Sequence, residues 1–220
     1  MRVAALYDVH GNLPALEAVL AEADADVVLF GGDLTWGPRP AETLRLARSL
    51  EAARFVRGNC DREPDEWERS QLEPEEVAFL QGLPPTLELD GVLYCHATPR
   101  SDEEVVTPAT PDERLAEILA GVEQRIVVAG HTHMQQDRRA GGVRFVNAGS
   151  VGMAYEGELA AFWALVDDGE PELRRTALDR ERVADAFRRS AWPRADEFLR
   201  ENVLESVTRE QATAELEGTA

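Results

Sequence analysis

The four histidines of this 220-residue chain each lie close behind a short apolar run. The histidines are His10, His96, His131 and His133, and the runs before them span residues 3–7, 92–95 and 126–129. Apolar runs of this length, bounded by glycine or polar residues, are typical of buried β-strands. Open α/β folds place ligands at the carboxyl ends of their strands, so the pattern predicts an α/β (α+β) fold with imidazoles gathered at one edge.

Oxygen-bearing side chains follow other apolar runs in the first half of the chain. Asp8 stands two residues before His10, and strand alternation predicts that both side chains face the same side. Asp33 follows an apolar run and two glycines, and Asn59 follows a strand-like segment and one glycine. A solvated loop aspartate and an ordinary polar turn are the alternatives at these last two positions.

Seven side chains in this pattern are candidate metal ligands. They are Asp8, His10, Asp33, Asn59, His96, His131 and His133. One metal rarely uses so many protein groups, whereas two ions about 4 Å apart that share a carboxylate use them all, with Asp33 as the natural bridge. Carboxylate, amide and imidazole ligands without a thiolate favour manganese, iron, cobalt, nickel or zinc over calcium. Cys95 is predicted to point away from the site, because it precedes His96 on a strand.

The charge of the chain disfavours some classes of partner. Forty-two acidic residues against 23 basic ones give a net charge of -19, which disfavours binding to nucleic acid polymers or anionic membranes. Binding of a small anionic ligand is still compatible with this charge, because bound metal ions would attract it. No apolar run approaches the roughly 20 residues of a membrane span, and the acid at Asp8 comes too early for a signal peptide. These features predict a cytoplasmic protein.

The organisation of the chain predicts one domain over residues 1–206, without a long linker or an internal repeat. Residues 207–220 lose apolar content and are predicted to form a flexible acidic tail. Cys60 and Cys95 form no Cys-X-X-Cys pair, so neither a disulfide framework nor a zinc ribbon is indicated. The sequence does not indicate an oligomeric state.

Five sequence blocks together resemble a known family. They are Asp8-X-His10, Gly32-Asp33, Gly58-Asn59-X-Asp61, His96 and Gly130-His131-X-His133, within residues 3–152. The series resembles the calcineurin-like metallophosphoesterases, and most of all their compact bacterial and archaeal phosphodiesterase branch. The resemblance implies a four-layer αββα sandwich with two divalent metal ions at the strand ends, Mn²⁺ being the first expectation.

The resemblance also implies how the ligands divide between the two ions. One ion would be held by Asp8, His10, Asp33 and His133, and the other by Asp33, Asn59, His96 and His131. A water that bridges the ions would then lose a proton and attack a phosphoester as hydroxide, while the ions hold the phosphoryl oxygens. The chain is therefore expected to hydrolyse a small phosphorylated substrate, most of all a phosphodiester.

One departure from the family pattern bears on the reaction. Cys60 stands where much of the family has a histidine that helps to hold the phosphate and to protonate the leaving group. A cysteine near its ordinary pKa of roughly 8.5 is a poor substitute in both tasks. The chain is therefore expected to favour diesters or activated esters over alkyl monoesters, with Asp61 orienting the site through contacts to ligating groups.

Two other functions remain open. One is a nucleotide or dinucleoside polyphosphate hydrolase of the same superfamily. The other is a metal-binding regulatory module without catalysis, for which Cys60 is the single supporting feature. Arg39 and Arg100 are candidates for phosphate contact, with solvated surface arginines as the plainer interpretation.

Overall fold

The computed structural model describes residues 1–218, which contain two five-stranded mixed β-sheets. The strands are β1 (Arg2–Leu6), β2 (Val27–Phe30), β3 (Ala53–Phe55), β4 (Thr86–Leu89), β5 (Val92–Cys95), β6 (Ile126–Ala129), β7 (Gln136–Ala140), β8 (Val143–Asn147), β9 (Ala160–Asp167) and β10 (Glu170–Ala177). The helices are α1 (Leu13–Glu22), α2 (Pro40–Ser49), α3 (Asn59–Arg62), α4 (Glu66–Gln71), α5 (Pro74–Gln81), α6 (Asp112–Ile118), α7 (Arg180–Arg189), α8 (Ala195–Phe198) and α9 (Arg209–Gly218), with a π-helical segment (Leu199–Glu205) directly after α8. None of the helices within residues 1–218 combines the length and the apolar character needed to cross a lipid bilayer.

Both sheets place parallel strands at their centre. The first sheet has the strand order β10-β9-β1-β2-β3, and the second has the order β4-β5-β6-β8-β7. In the first sheet β1, β2 and β3 are parallel, β9 runs antiparallel to β1, and β10 runs antiparallel to β9. In the second sheet β5, β6 and β8 are parallel, and β4 and β7 form antiparallel edges. Each sheet therefore sends the carboxyl ends of three parallel strands to one edge, where their loops can share a site.

Strand alternation sorts the core into layers. Ala5 of β1 packs with Val128 of β6 in a cluster between the two sheets. The next residue, Leu6, belongs to a cluster with residues of α1 and α2 on the opposite face of the first sheet. Cys95 belongs to a cluster with residues of α6 on the outer face of the second sheet, as its strand position predicts. Helices α1 and α2, the two sheets and helix α6 therefore form four layers, which is the predicted αββα sandwich.

Local sequence explains where the elements next to the strand ends begin. Asn12 caps α1, and its side-chain oxygen accepts a hydrogen bond from Ala15 N at 3.3 Å. Asp90 and Gly91 both have positive φ, as a tight hairpin turn requires. This turn pairs β4 with β5 in a register that brings His96 to the end of β5.

The C-terminal segment differs from its prediction. Arg209–Gly218 form helix α9, where a flexible tail is expected over residues 207–220. The guanidinium of Arg209 donates to Glu156 at 2.8 Å and to the Gln135 carbonyl at 3.0 Å. An ion pair and a hydrogen bond to the backbone therefore hold the start of the helix. Polar contacts hold this helix in place, and a low apolar content does not reveal them. The last two residues of the predicted tail lie outside the described residues.

Candidate metal centre

Backbone hydrogen bonds fix the loops that follow the parallel strands. In the first sheet His10 N donates to the Asp33 carbonyl at 3.0 Å, which joins the loops after β1 and β2. In the second sheet Gly130 N donates to the His96 carbonyl at 2.7 Å, which joins the ends of β5 and β6. The predicted ligands therefore project from a backbone whose position is set by both sheets.

The backbone at the site has an uncommon conformation. Positive φ values, between 49° and 69°, occur at Asp8, His10, Asp33, His131 and His133. Because β1 ends at Leu6, Asp8 and His10 lie on left-handed turns and not on alternate positions of a strand. Their side chains converge as predicted, but the turn is the cause. Such conformations cost non-glycine residues about 1–3 kcal/mol each and cluster at functional sites.

The carboxylate of Asp8 lies at the centre of the site and is fully buried. Its Oδ1 atom is 3.4 Å from His133 Nε2, 3.8 Å from His96 Nε2 and 3.9 Å from His10 Nε2. Oδ1 has no hydrogen-bond partner among residues 1–218, whereas Oδ2 accepts a bond from His131 N at 2.8 Å. A buried carboxylate oxygen that faces three imidazole nitrogens without bonding to them suits a cation placed among these atoms.

His96 connects this carboxylate to the other predicted ligands. Its Nδ1 lies 3.0 Å from the Gly31 carbonyl, which can only accept, so Nδ1 carries a proton and Nε2 is the atom turned to the site. His96 Nε2 is 3.1 Å from Asn59 Oδ1 and 3.6 Å from Asp33 Oδ2. The ring of His131 lies against the ring of His96, with centroids 5.1 Å apart. All seven predicted ligands therefore lie in or against one cluster.

The surroundings shift the pKa values of His10, His131 and Asp8 toward their metal-binding forms, whereas Asp33 and Asp8 raise the pKa of His96 against the lowering effect of burial. Burial, followed by the neighbouring His133, lowers the pKa of His10 to about 4. Burial, followed by His96, lowers the pKa of His131 to about 4. Burial alone would raise the pKa of Asp8, yet His133 and His96 hold it below its usual range. At neutral pH the carboxylate is therefore ionised and these two imidazoles are neutral, as metal coordination requires.

These residues fit divalent metal ions. Two groups have ligand atoms that all lie within 4.8 Å of one another, namely Asp8 with His10 and His133, and Asp8 with Asp33 and His96. Both groups contain Asp8, whereas Asp33 is the predicted bridge between the ions. The bridging role of Asp33 therefore stays a prediction, as does ligation by Asn59 and His131, whose side chains lie beside His96.

Asp61 supports the turn that presents Asp33. Its Oδ2 accepts hydrogen bonds from Asp33 N and Gly58 N, both at 2.8 Å, and its Oδ1 accepts one from Leu34 N at 3.2 Å. Burial, followed by the negative charge of Asp33, raises the pKa of Asp61 to about 6. This geometry suits the orienting role predicted for Asp61, because it fixes the backbone on both sides of a candidate ligand.

Gly58 leaves no room for a side chain next to Asp33. A Cβ atom at position 58 would lie 2.2 Å from Asp33 Oδ1 and 2.5 Å from Asp33 N. We expect Gly58→Ala to displace the carboxylate and to lower metal affinity and hydrolysis by about 10- to 100-fold, the range seen when groups that support ligands are changed. Titration with Mn²⁺ and diester hydrolysis measure the two effects.

A matched control for this substitution exists at Gly218, where an added Cβ meets nothing within 4 Å. Gly218→Ala is expected to retain the metal affinity of the natural chain. If Gly58→Ala and Gly218→Ala bind metal with equal affinity, the site does not require the close approach of Gly58 to Asp33.

Aromatic side chains that sequence reasoning missed surround the first group of candidate ligands. Trp36 meets His10 edge to face, with ring centroids 5.4 Å apart, and Tyr155 lies beside His133 at 4.8 Å. Arg194 places its guanidinium 5.1 Å from the centre of the Trp36 ring. No local sequence pattern marks these positions, because they come from three distant segments that only the fold brings together.

The two arginines proposed for phosphate contact are engaged elsewhere. Arg39 forms an ion pair with Glu42 at 2.9 Å, and Arg100 donates from Nε to Glu104 at 2.8 Å. Both pairs lie on the surface, where such bridges are worth little and are readily screened. The structure therefore favours the plainer interpretation of these residues as surface arginines.

Comparison with known proteins places this site in a family. The sequence model of the family described as the calcineurin-like phosphoesterase superfamily domain matches residues 1–167. Phosphodiesterase YfcE of Escherichia coli K12 is 27% identical over 191 residues, covering 76% of this chain and 89% of that protein. The crystal structure of a metallophosphoesterase from Sphaerobacter thermophilus has a TM-score of 0.79 at 24% identity, over 90% of this chain and 97% of that one. Protein PH1004 from Pyrococcus horikoshii OT3 has a TM-score of 0.77 at 19% identity, over 94% and 99% of the two chains. The last two likenesses bear on the fold alone, but the family match includes every candidate ligand, and the chain belongs to the calcineurin-like phosphoesterase superfamily.

Proposed function

We propose that the protein is a phosphodiesterase that acts on a small-molecule substrate with two divalent transition metal ions. The observation that carries the proposal is the buried Asp8 Oδ1, which faces three imidazole nitrogens at 3.4 to 3.9 Å without a hydrogen bond. Similarity to a protein named phosphodiesterase supports the choice of ester. Mn²⁺ is the first candidate ion, with iron, zinc, cobalt or nickel as alternatives.

The chain's own residues would divide the work at this site. Asp8, His10 and His133 would hold one ion, and His96, Asn59 and His131 the other, with Asp33 between them. When bound, such a pair of ions supplies an activated water and positive charge for the phosphoryl oxygens. Asp61 would keep Asp33 in place through the three backbone bonds that its carboxylate accepts.

Cys60 has no part in this scheme as a nucleophile. Its backbone N donates to Asp33 Oδ1 at 2.9 Å, and its half-buried thiol lies beside Asn59. Burial, followed by the negative charge of Asp33, raises the pKa of the Cys60 thiol far above its ordinary value. A cysteine whose pKa is ordinary or raised carries little thiolate at neutral pH and is a weak acid, so it is a poor nucleophile and a poor proton donor to an alkoxide leaving group.

We therefore expect Mn²⁺-loaded enzyme to hydrolyse bis(p-nitrophenyl) phosphate at least about tenfold faster than propyl phosphate, because only the diester releases an alcohol that needs no proton donor. Product release is followed by absorbance for the diester and by free phosphate for the monoester, with chelated enzyme as the blank. Equal or faster turnover of the alkyl monoester would refute this account of Cys60. Cys60→His is the matched variant, and it should raise the rate on propyl phosphate more than on the diester.

A catalytically silent metal-binding module is the rival of a different class. Its single supporting feature is Cys60, and the seven candidate ligands gathered in or against one cluster argue against it. Two bound ions per chain together with no hydrolysis of either bis(p-nitrophenyl) phosphate or propyl phosphate would favour that rival.

A further inference from the structure

A cavity of about 770 Å³ opens beside the candidate metal centre. Trp36 and Tyr155 form part of its wall, and the same two rings contact His10 and His133. Other parts of the wall come from α8, the π-helical segment and α9. The candidate ligands are not among the lining residues, so an ester arm would reach the cavity by passing the Trp36 and Tyr155 rings.

The wall of this cavity is anchored to the metal centre. Arg209, at the start of α9, bonds to Glu156 and to the carbonyl of Gln135, two residues after His133. Thr213 Oγ1 lies 3.6 Å from the sulfur of Met134, which directly follows the same histidine. The C-terminal helix is thus fixed to the loop that carries a candidate ligand, and the cavity keeps its position relative to the centre.

Most ionisable side chains in the cavity wall are carboxylates, which accept hydrogen bonds. Among residues 1–218, four carboxylates and one guanidinium line the cavity, and they belong to Glu197, Glu201, Glu205, Glu215 and Arg194. A ligand group that carries positive charge and several N–H donors complements this wall, whereas a second phosphate would be repelled by it.

The rings of the wall already hold a cation. Arg194 Cζ lies 5.1 Å from the centre of the Trp36 ring and 5.0 Å from that of Phe198. Its Nε also donates to Glu197 at 2.9 Å. Aromatic faces combined with a carboxylate are the arrangement by which proteins bind organic cations, and here the protein's own side chain shows that the wall accepts one.

We propose that this cavity binds a protonated amine on one ester arm of the substrate, so that the enzyme selects phosphodiesters of amino alcohols. The position of the amine rests on the proposed function, because the phosphoryl group must sit at the metal ions. The carboxylate of Glu201, which also pairs with Arg200 at 2.9 Å, would receive N–H bonds of the amine, and the ring of Tyr155 would cover its alkyl chain.

Two matched compounds test the proposal. Aminoethyl p-nitrophenyl phosphate and propyl p-nitrophenyl phosphate have nearly the same shape and differ by an ammonium in place of a methyl group. We expect kcat/KM to favour the aminoethyl diester by about tenfold, the range of one hydrogen bond to a charged group. Glu201→Gln should lower this ratio by about threefold, since one carboxylate of several is removed.

Glu210→Gln supplies the control, because this substitution changes the charge by the same amount. Glu210 is an exposed residue of α9 that lies outside the cavity wall. It should leave the ratio of the two diesters unchanged. A ratio near one in the natural chain, or an equal fall of the ratio in both variants, would overturn the proposed amine site.

Calorimetry with Mn²⁺-loaded protein separates this proposal from the hydrolase assignment. Phosphoethanolamine should bind about tenfold more tightly than propyl phosphate, whether or not any ester is hydrolysed. Tighter binding of phosphoethanolamine by a protein that hydrolyses neither of the two p-nitrophenyl diesters would refute the hydrolase and support the amine site. Equal binding of the two, or a higher kcat/KM for a thymidine p-nitrophenyl diester than for the aminoethyl diester, would overturn the amine site.

Discussion

Replacing Asp8 by asparagine is expected to remove at least the metal ion that Asp8 would share with His10 and His133, and to lower diester hydrolysis by more than about 100-fold. Loss of a ligand should exceed the roughly 10- to 100-fold effect of changing a group that only supports a ligand. The amide oxygen of the new residue must accept the bond from His131 N that Asp8 Oδ2 accepts at 2.8 Å. Its NH₂ group then replaces Oδ1 among the three imidazole nitrogens. A donor would thus stand where the natural chain offers a negative charge to a cation.

Three measurements check this expectation. Elemental analysis after dialysis against Mn²⁺ gives the metal content, and bis(p-nitrophenyl) phosphate gives the rate. Thermal unfolding with and without Mn²⁺ gives the stabilisation by bound metal, because an ion that binds only the folded state raises the melting temperature. The Mn²⁺-dependent rise should be smaller in Asp8→Asn than in the natural chain and unchanged in Asp24→Asn, an exposed aspartate that pairs with Arg2. Retention of metal and rate in Asp8→Asn would refute the central role given to this carboxylate.

The strand ends that carry the site were accessible from the sequence because the strand signal and the ligand signal coincide, whereas the four-layer arrangement was implied by the family resemblance. A short apolar run identifies a buried strand, and the residue directly after it lies at the edge of a sheet. Cys95 and His96 illustrate this, since the cysteine packs among residues of α6 and the histidine faces the candidate metal centre. Alternation alone determines which of the two neighbours reaches the site.

The conformation at the strand ends was not accessible in the same way. Strand alternation places Asp8 and His10 on one side, but both residues have positive φ and lie beyond β1. Sequence patterns report burial and periodicity, whereas a left-handed turn is imposed by the surrounding hydrogen bonds. Strain of this kind is expected where function overrides local preference.

The cavity wall was missed for a different reason. Trp36, Tyr155 and Arg194 are far apart in the chain and carry no common spacing. Helix α9 has few apolar residues and depends on the ion pair between Arg209 and Glu156, so composition suggests a tail. Contacts between distant polar residues are a property of the fold and cannot be derived from local pattern.

His131→Ala and His133→Ala are each expected to lose one metal ion, and a different one. His133 Nε2 lies 3.1 Å from His10 Nε2 and 3.4 Å from Asp8 Oδ1, which places it in the first group of candidate ligands. The ring of His131 instead lies against His96. The backbone N–H of residue 131 still bonds to Asp8 in His131→Ala, so the loss would report the imidazole alone.

Double variants identify which ion each histidine holds. If His10 and His133 share one ion, His10→Ala combined with His133→Ala should retain about one ion per chain, because the second substitution acts on an ion already lost. His131→Ala combined with His133→Ala should retain none. Metal content after dialysis distinguishes these cases without reference to activity. One ion retained by the His131 and His133 double variant would show that both histidines serve the same ion, and the division of ligands between the two ions would then be wrong.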